Sequence, residues 1–273
     1  MQDVLEVSSI KLLFMLMTLL LSMLFPIALW IFFSLRKMRV TAAVLSGSLG
    51  FIIPQMFIRI PILQVLAQNQ AWALFCEGNA LLSCAIYAST AALFETAGRV
   101  LVLRGLLHKS LSFNTALGAG LGHGGAESIG LIGFTYIGNI VLSFMINSGA
   151  LEAAPELDQA INALVETEAG LFLLAGFERV FTLAFHMALT VLLCLFVMRK
   201  QLFAGALLVF AMHFSVDFFI PLLLLKGLDI WASEGIILLI AIGSVLLIAK
   251  LRPKFAVIES PKDPAAVALS EGY

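Results

Sequence analysis

Between Lys11 and Arg36 the chain carries no charged residue, and the run Ile10–Leu35 is longer than the roughly 20 residues a helix needs to cross a membrane. Six further apolar stretches follow, at about 40–66, 79–105, 112–147, 170–198, 202–225 and 233–250. None alternates in the manner of a β-barrel strand. The first run is too long for the core of a signal peptide and lacks a clear cleavage pattern. The chain is 61% hydrophobic and 12% charged, where a soluble domain carries about 25% charged residues. These features predict an all-α, polytopic membrane helix bundle of seven spans. An eighth helix is expected if the acidic external stretch Leu151–Glu168 folds as an amphipathic surface helix. Residues 1–252 form a single integral membrane domain, and 253–273 a polar cytosolic tail.

Loop charges set the expected topology. Basic residues follow spans one (Arg36, Lys37, Arg39), three (Arg104, Lys109), five (Arg199, Lys200) and seven (Lys250, Arg252, Lys254). The intervening loops are neutral or acidic, apart from Lys226 beside Asp229. The positive-inside rule then puts the N-terminus outside and the C-terminus in the cytosol. A formal net charge of -1, with basic residues scattered at segment ends, gives no footprint for nucleic acid. Pro54 and Pro61 are expected to bend span two, and the long glycine-rich span four to be broken or strongly tilted.

Ionisable residues deep in these spans are costly, and they persist where they pair, meet water or do chemistry. Nine stand out: Glu95, Arg99, His123, Glu127, Glu178, Arg179, His186, His213 and Asp217. Glu95, His123, His186 and His213 lie about ten to thirteen residues from the basic ends of their spans. At ~1.5 Å per residue, four helices of alternating direction bring them to one level, roughly 15–20 Å from the cytosolic edge of a ~30 Å core. Glu95 and Arg99, His123 and Glu127, and His213 and Asp217 are each spaced i,i+4 and so share a helix face. Glu178 and Arg179 fall nearer the outer side, as a rim pair. The glycines of span four (Gly118, Gly120, Gly122, Gly124, Gly125, Gly130, Gly133, Gly138) fit close helix packing or a bare cavity wall. Cys76, Cys84 and Cys194 have no metal-ligand spacing and read as packing residues.

At these residues the chain resembles the glutamic-type intramembrane proteases: the CAAX prenyl proteases with their bacteriocin-processing relatives, the PrsW proteases and, most of all, the bacterial YhfC-like branch. The resemblance covers about residues 80–220. Phe94-Glu95-Thr96-Ala97-Gly98-Arg99 matches the first motif, although a second glutamate is frequent where Thr96 stands. Gly120-Leu121-Gly122-His123-Gly124-Gly125-Ala126-Glu127 resembles the second, Glu178-Arg179 with His186 the third, and His213-x-x-x-Asp217 the fourth, with Asp where Asn is usual. The resemblance implies an intramembrane endopeptidase in a bacterial cytoplasmic membrane, acting on a membrane protein or peptide without a cofactor. It implies Glu95 as the base that activates water held by His186 or His123. It implies His213 and Asp217 as the groups polarising the carbonyl, and Arg99 as the group holding Glu95. Glu127 is a candidate for the vacant second-carboxylate role.

Two other classes stay open. His123, His186 and His213, with Glu95, Glu127 or Asp217, are also a plausible zinc donor set, although no His-Glu-x-x-His is present. The same groups suit a proton-coupled transporter or a non-catalytic membrane scaffold, but no inverted repeat is visible. The site is expected to open toward the cytosol. Nothing in the sequence specifies an oligomeric state.

Overall fold

The computed structural model describes residues 6–150 and 157–259. In chain order the helices are α1 (Ser9–Leu35), α2 (Thr41–Phe51), α3 (Ile60–Ala67), α4 (Gln70–Gly78), α5 (Ala80–Leu101), α6 (Phe113–Glu127), α7 (Phe134–Asn147), α8 (Asp158–Glu166), α9 (Ala169–Met198), α10 (Leu202–Leu225) and α11 (Ile230–Glu259). Seven continuous helical stretches are long and apolar enough to cross a membrane. They match the seven stretches expected from the sequence.

Three of the spans contain a π-helical segment. Ile52–Arg59 joins α2 to α3, Val102–Leu106 extends α5, and Ser128–Gly133 joins α6 to α7. Proline offers no N–H and its ring crowds the carbonyl four residues back. The wider π turn absorbs Pro54, and Pro61 sits in the first turn of α3, where a missing N–H costs little. Span four is likewise unbroken. Its 35 residues make a rod of roughly 50 Å, which exceeds a ~30 Å hydrocarbon core and requires tilt.

α9 is the central pillar. Of its most apolar stretch 72% is buried, against 33% or less in every other span, whose leucines and phenylalanines face outward. α1, α6, α10 and α11 pack around it. The main apolar core lies toward the basic ends of the spans, with Leu103, Leu117, Leu189, Leu193, Val209 and Phe255 buried together. α11 runs to Glu259, so residues 253–259 of the expected tail are helical, and Glu259 accepts a hydrogen bond from the Phe113 amide at 2.8 Å and so caps α6. Residues 260–273 of the expected tail lie outside the described residues.

The acidic external stretch holds α8 at the opposite end of the bundle. Leu164 is buried there, and Lys11 donates to the Val165 carbonyl at 2.5 Å, a cation placed at a helix C-terminus. Glu152 and Glu156 of that stretch lie outside the described residues. α4, between spans two and three, was not expected from hydropathy; Asn69 caps it by accepting from the Ala71 and Trp72 amides.

Close approach explains the glycines of span four. A Cβ on Gly122 would lie 1.9 Å from the Val44 carbonyl oxygen, and one on Gly124 would lie 2.9 Å from Cβ of His186. Gly98 of α5 meets the Gly50 carbonyl in the same way, at 1.9 Å. Close packing is therefore the role of most of these residues, although Gly122, Gly125 and Gly130 also border an apolar surface groove of about 560 Å³. Gly122→Ala is predicted to lower stability by about 1–3 kcal/mol, since backbone must move, whereas Gly138→Ala, with open space around it, is predicted to be neutral or stabilising. Thermal unfolding in detergent compares the two; equal melting temperatures would contradict this packing.

Candidate active site

The site is built on one carboxylate oxygen. Glu95 projects from α5, and its Oε2 lies 3.1 Å from His123 Nε2, 3.6 Å from His186 Nδ1 and 3.6 Å from His213 Nδ1. Arg99, one turn along α5, brings Nη2 to 3.4 Å from the same oxygen. Residues from α5, α6, α9 and α10 thus converge at one depth, as the counting of residues from the basic ends predicted. Every one of these side chains is buried.

A second line of contacts runs outward from this centre. Arg99 Nη2 lies 2.6 Å from His186 Nδ1, so the guanidinium donates there and the ring carries its hydrogen on Nε2. That Nε2 lies 2.7 Å from Glu127 Oε2. Glu127 Oε1 accepts from Arg179 Nη1 at 3.2 Å, and Arg179 Nη2 also donates to Glu178. On the other flank, His213 Nε2 faces Asp217 Oδ2 at 3.4 Å. All nine residues singled out in the sequence therefore join one connected network.

His123 and Glu127 share a face of one helix but take separate partners: His123 turns to Glu95, while Glu127 turns to α9. The i,i+4 rule fixes a shared face but not the partner, and stronger partners stand on neighbouring helices. Arg179 is not part of an isolated rim pair with Glu178, because its contact with Glu127 ties it to the site.

Two contributors were missed. Gln55 Nε2 donates to Glu95 Oε1 at 2.6 Å, and Arg59 Nη1 donates to Gln55 Oε1 at 3.3 Å. Arg59 is itself anchored on Thr90 Oγ1 at 3.0 Å and on the Tyr87 carbonyl at 2.8 Å. Both lie in the π-helical segment Ile52–Arg59, and they are spaced i,i+4. An arginine inside an apolar span was the same signal that picked out Glu95.

Two cavities flank the network and share Glu95, Glu127 and Asp217 in their walls. One, of about 250 Å³, also reaches Gln55, Arg59 and Tyr87. The other, of about 200 Å³, reaches Glu178, Arg179, Thr182, His186, His213 and Pro221. His213 Nδ1 is buried and has no hydrogen-bond partner. Both cavities extend from Glu95 toward the end of the bundle that carries α8. On the side of the basic loops, the buried apolar core packs beneath the imidazoles.

The donor chemistry suits a metal as well. Glu95, His123 and His186 each offer one ligand atom, all within 4.8 Å of one another, a carboxylate–imidazole set of the kind zinc takes. His213 does not belong to that compact group, which revises the three-histidine set expected from the sequence. A cation already touches it, since Arg99 contacts both His186 and Glu95.

Comparison with known proteins agrees with this architecture. The chain is 32% identical over 176 residues to the membrane protein YhfC of Bacillus subtilis strain 168, covering 60% of this chain and 67% of that protein. No solved structure matches it. The family described as YhfC intramembrane metalloprotease matches residues 21–238. That description and the compact donor group both leave the expectation of a cofactor-free site without support. With the match spanning all four polar motifs, the chain belongs to the YhfC intramembrane metalloprotease family.

Proposed function

We propose that this protein is an intramembrane endopeptidase of a bacterial cytoplasmic membrane, hydrolysing peptide bonds of membrane proteins or peptides with water activated at Glu95. The observation that carries this reading is the sharing of Glu95 Oε2 by three imidazoles, with cavities on two sides of it. A structural ion pair needs neither the imidazoles nor the cavities.

The roles follow from which nitrogens are free. His123 borders neither cavity, is held edge-on by Phe51, and serves to orient Glu95. His186 is engaged at both nitrogens, by Arg99 and Glu127. His213 keeps Nδ1 unengaged toward Glu95 and the cavity, while Asp217 faces its other nitrogen. Water beside Glu95 Oε2 and His213 Nδ1 attacks the carbonyl carbon as Glu95 takes its proton. The oxygen that becomes negative is met by an N–H of His213, whose other nitrogen faces Asp217. Glu95 then returns the proton to the leaving nitrogen as the C–N bond breaks. Gln55 ties down Oε1, which leaves Oε2 as the reactive oxygen. Arg99 and Arg179 balance the buried carboxylates, and Glu127 holds His186.

A metal-dependent version is favoured by one observation, the compact group Glu95, His123 and His186, which would hold the ion. When bound, zinc supplies Lewis acidity and makes water a nucleophile at neutral pH. In that version Glu127 and Asp217 are the carboxylates left to move the proton. The contact of Arg99 with His186 favours the metal-free version, since a guanidinium beside the donors opposes a second cation.

Glu95→Gln is predicted to fold and to lose cleavage of a membrane-spanning peptide by about 10²–10⁴-fold, the range a general base contributes. Retained activity would refute the assignment. Purified protein is predicted to hold no stoichiometric metal and to cleave in the presence of a chelator. One zinc per chain, lost in Glu95→Gln and His123→Ala, would establish the metal-dependent version instead.

A further inference from the structure

Exposure among the charged side chains follows a coarse gradient. Arg99 is 1% exposed and Glu95 6%, against 15% for Glu127, 30% for Glu178 and 32% for Asp217, while Arg179 beside Glu178 stays at 11%. Arg99 and Glu95 lie nearer the basic ends of their spans than the three more exposed carboxylates do. Both cavities follow the same gradient, from Glu95 to Tyr87 and Arg59 on one side and to Pro221 and Glu178 on the other. Toward the basic ends, among the described residues, apolar packing lies beneath the imidazoles: Leu103, Leu117, Leu189, Leu193 and Val209 are buried together there. Polar walls at this depth serve water-filled space, because each wetted group avoids the cost of facing hydrocarbon.

The basic loops mark the cytosolic face. We infer that water and substrate reach Glu95 from the opposite, outer face of the membrane, through the two cavities that end at Tyr87 and Pro221. The substrate class is accordingly a membrane-anchored or exported polypeptide whose scissile bond lies in the outer half of the membrane. A cytosolic lipid-modified tail would meet the apolar plug instead. The inference rests on the peptidase reading for the identity of the ligand, and on geometry and loop charge alone for its route.

Cysteine accessibility tests the route without requiring activity. With Cys76, Cys84 and Cys194 replaced by alanine, single cysteines are placed in each cavity, Ala91→Cys and Thr182→Cys. Lys200→Cys and Asp229→Cys serve as markers of the two faces. In intact spheroplasts, a membrane-impermeant charged methanethiosulfonate is expected to label Ala91→Cys, Thr182→Cys and Asp229→Cys. It should label Lys200→Cys only after permeabilisation. Cavity cysteines that label only together with Lys200→Cys, or not at all in monodisperse protein, overturn the outer route, as does reversal of the two markers. Outer labelling in a protein that cleaves no membrane peptide would sink the peptidase reading and leave the route intact.

Discussion

The interaction on which this structure depends is the sharing of a single carboxylate oxygen, Glu95 Oε2, by His123, His186, His213 and Arg99. An ionised carboxylate in a low-dielectric interior is tolerable only with a full complement of partners. Glu95 draws one from α6, one from α9, one from α10 and one from its own helix, and Gln55 supplies a fifth contact on Oε1. Each partner is fixed in turn: Arg99 by Thr190, His213 by Asp217, His186 by Glu127 and Glu127 by Arg179. Removing one member strands a charge elsewhere, which makes the layer a cooperative unit.

Backbone geometry makes such convergence possible. Imidazoles from adjacent helices reach one oxygen only if the helices are close. Bare positions at Gly98 and Gly122 let α5 and α6 approach α2 to backbone contact, and Gly124 lets α6 close on the His186 side chain of α9. Without much hydrophobic driving force between helices in lipid, such packing and the polar contacts themselves hold the bundle together. The π-helical segments adjoin the site as well. One carries Gln55 and Arg59, and another begins directly after Glu127. A π turn shifts the facing of side chains within an otherwise regular helix, a device frequent at functional sites.

The seven spans and the common depth of the four central residues were legible in the sequence, because hydropathy fixes where helices cross and loop charge fixes their alternation. Pairing was less legible. His123 and Glu127 share a face, yet each finds its partner on another helix, and spacing along one helix carries no information about azimuth between helices. Gln55 went unseen because an uncharged amide in an apolar run gives little compositional signal. Arg59 carried the signal and was passed over because it stands apart from the four motifs. The direction in which the cavities run was not legible for a different reason. Access depends on which end of the bundle the large apolar side chains fill, and that follows from packing around α9 and not from depth. The seventh helix continues past its apolar stretch to Glu259, whose contact with the Phe113 amide no hydropathy pattern reveals.

The proposed reaction turns on where one oxygen sits. Glu95→Asp keeps the charge and withdraws the carboxylate from the three imidazoles by one methylene, about 1.5 Å. The measurement is steady-state cleavage of a membrane-spanning peptide by this variant, beside wild-type protein of equal thermal stability. A central, position-critical Glu95 predicts that kcat falls by about 10²-fold, while KM moves little. A kcat close to that of the wild type would contradict the claim that the reaction is built on this oxygen.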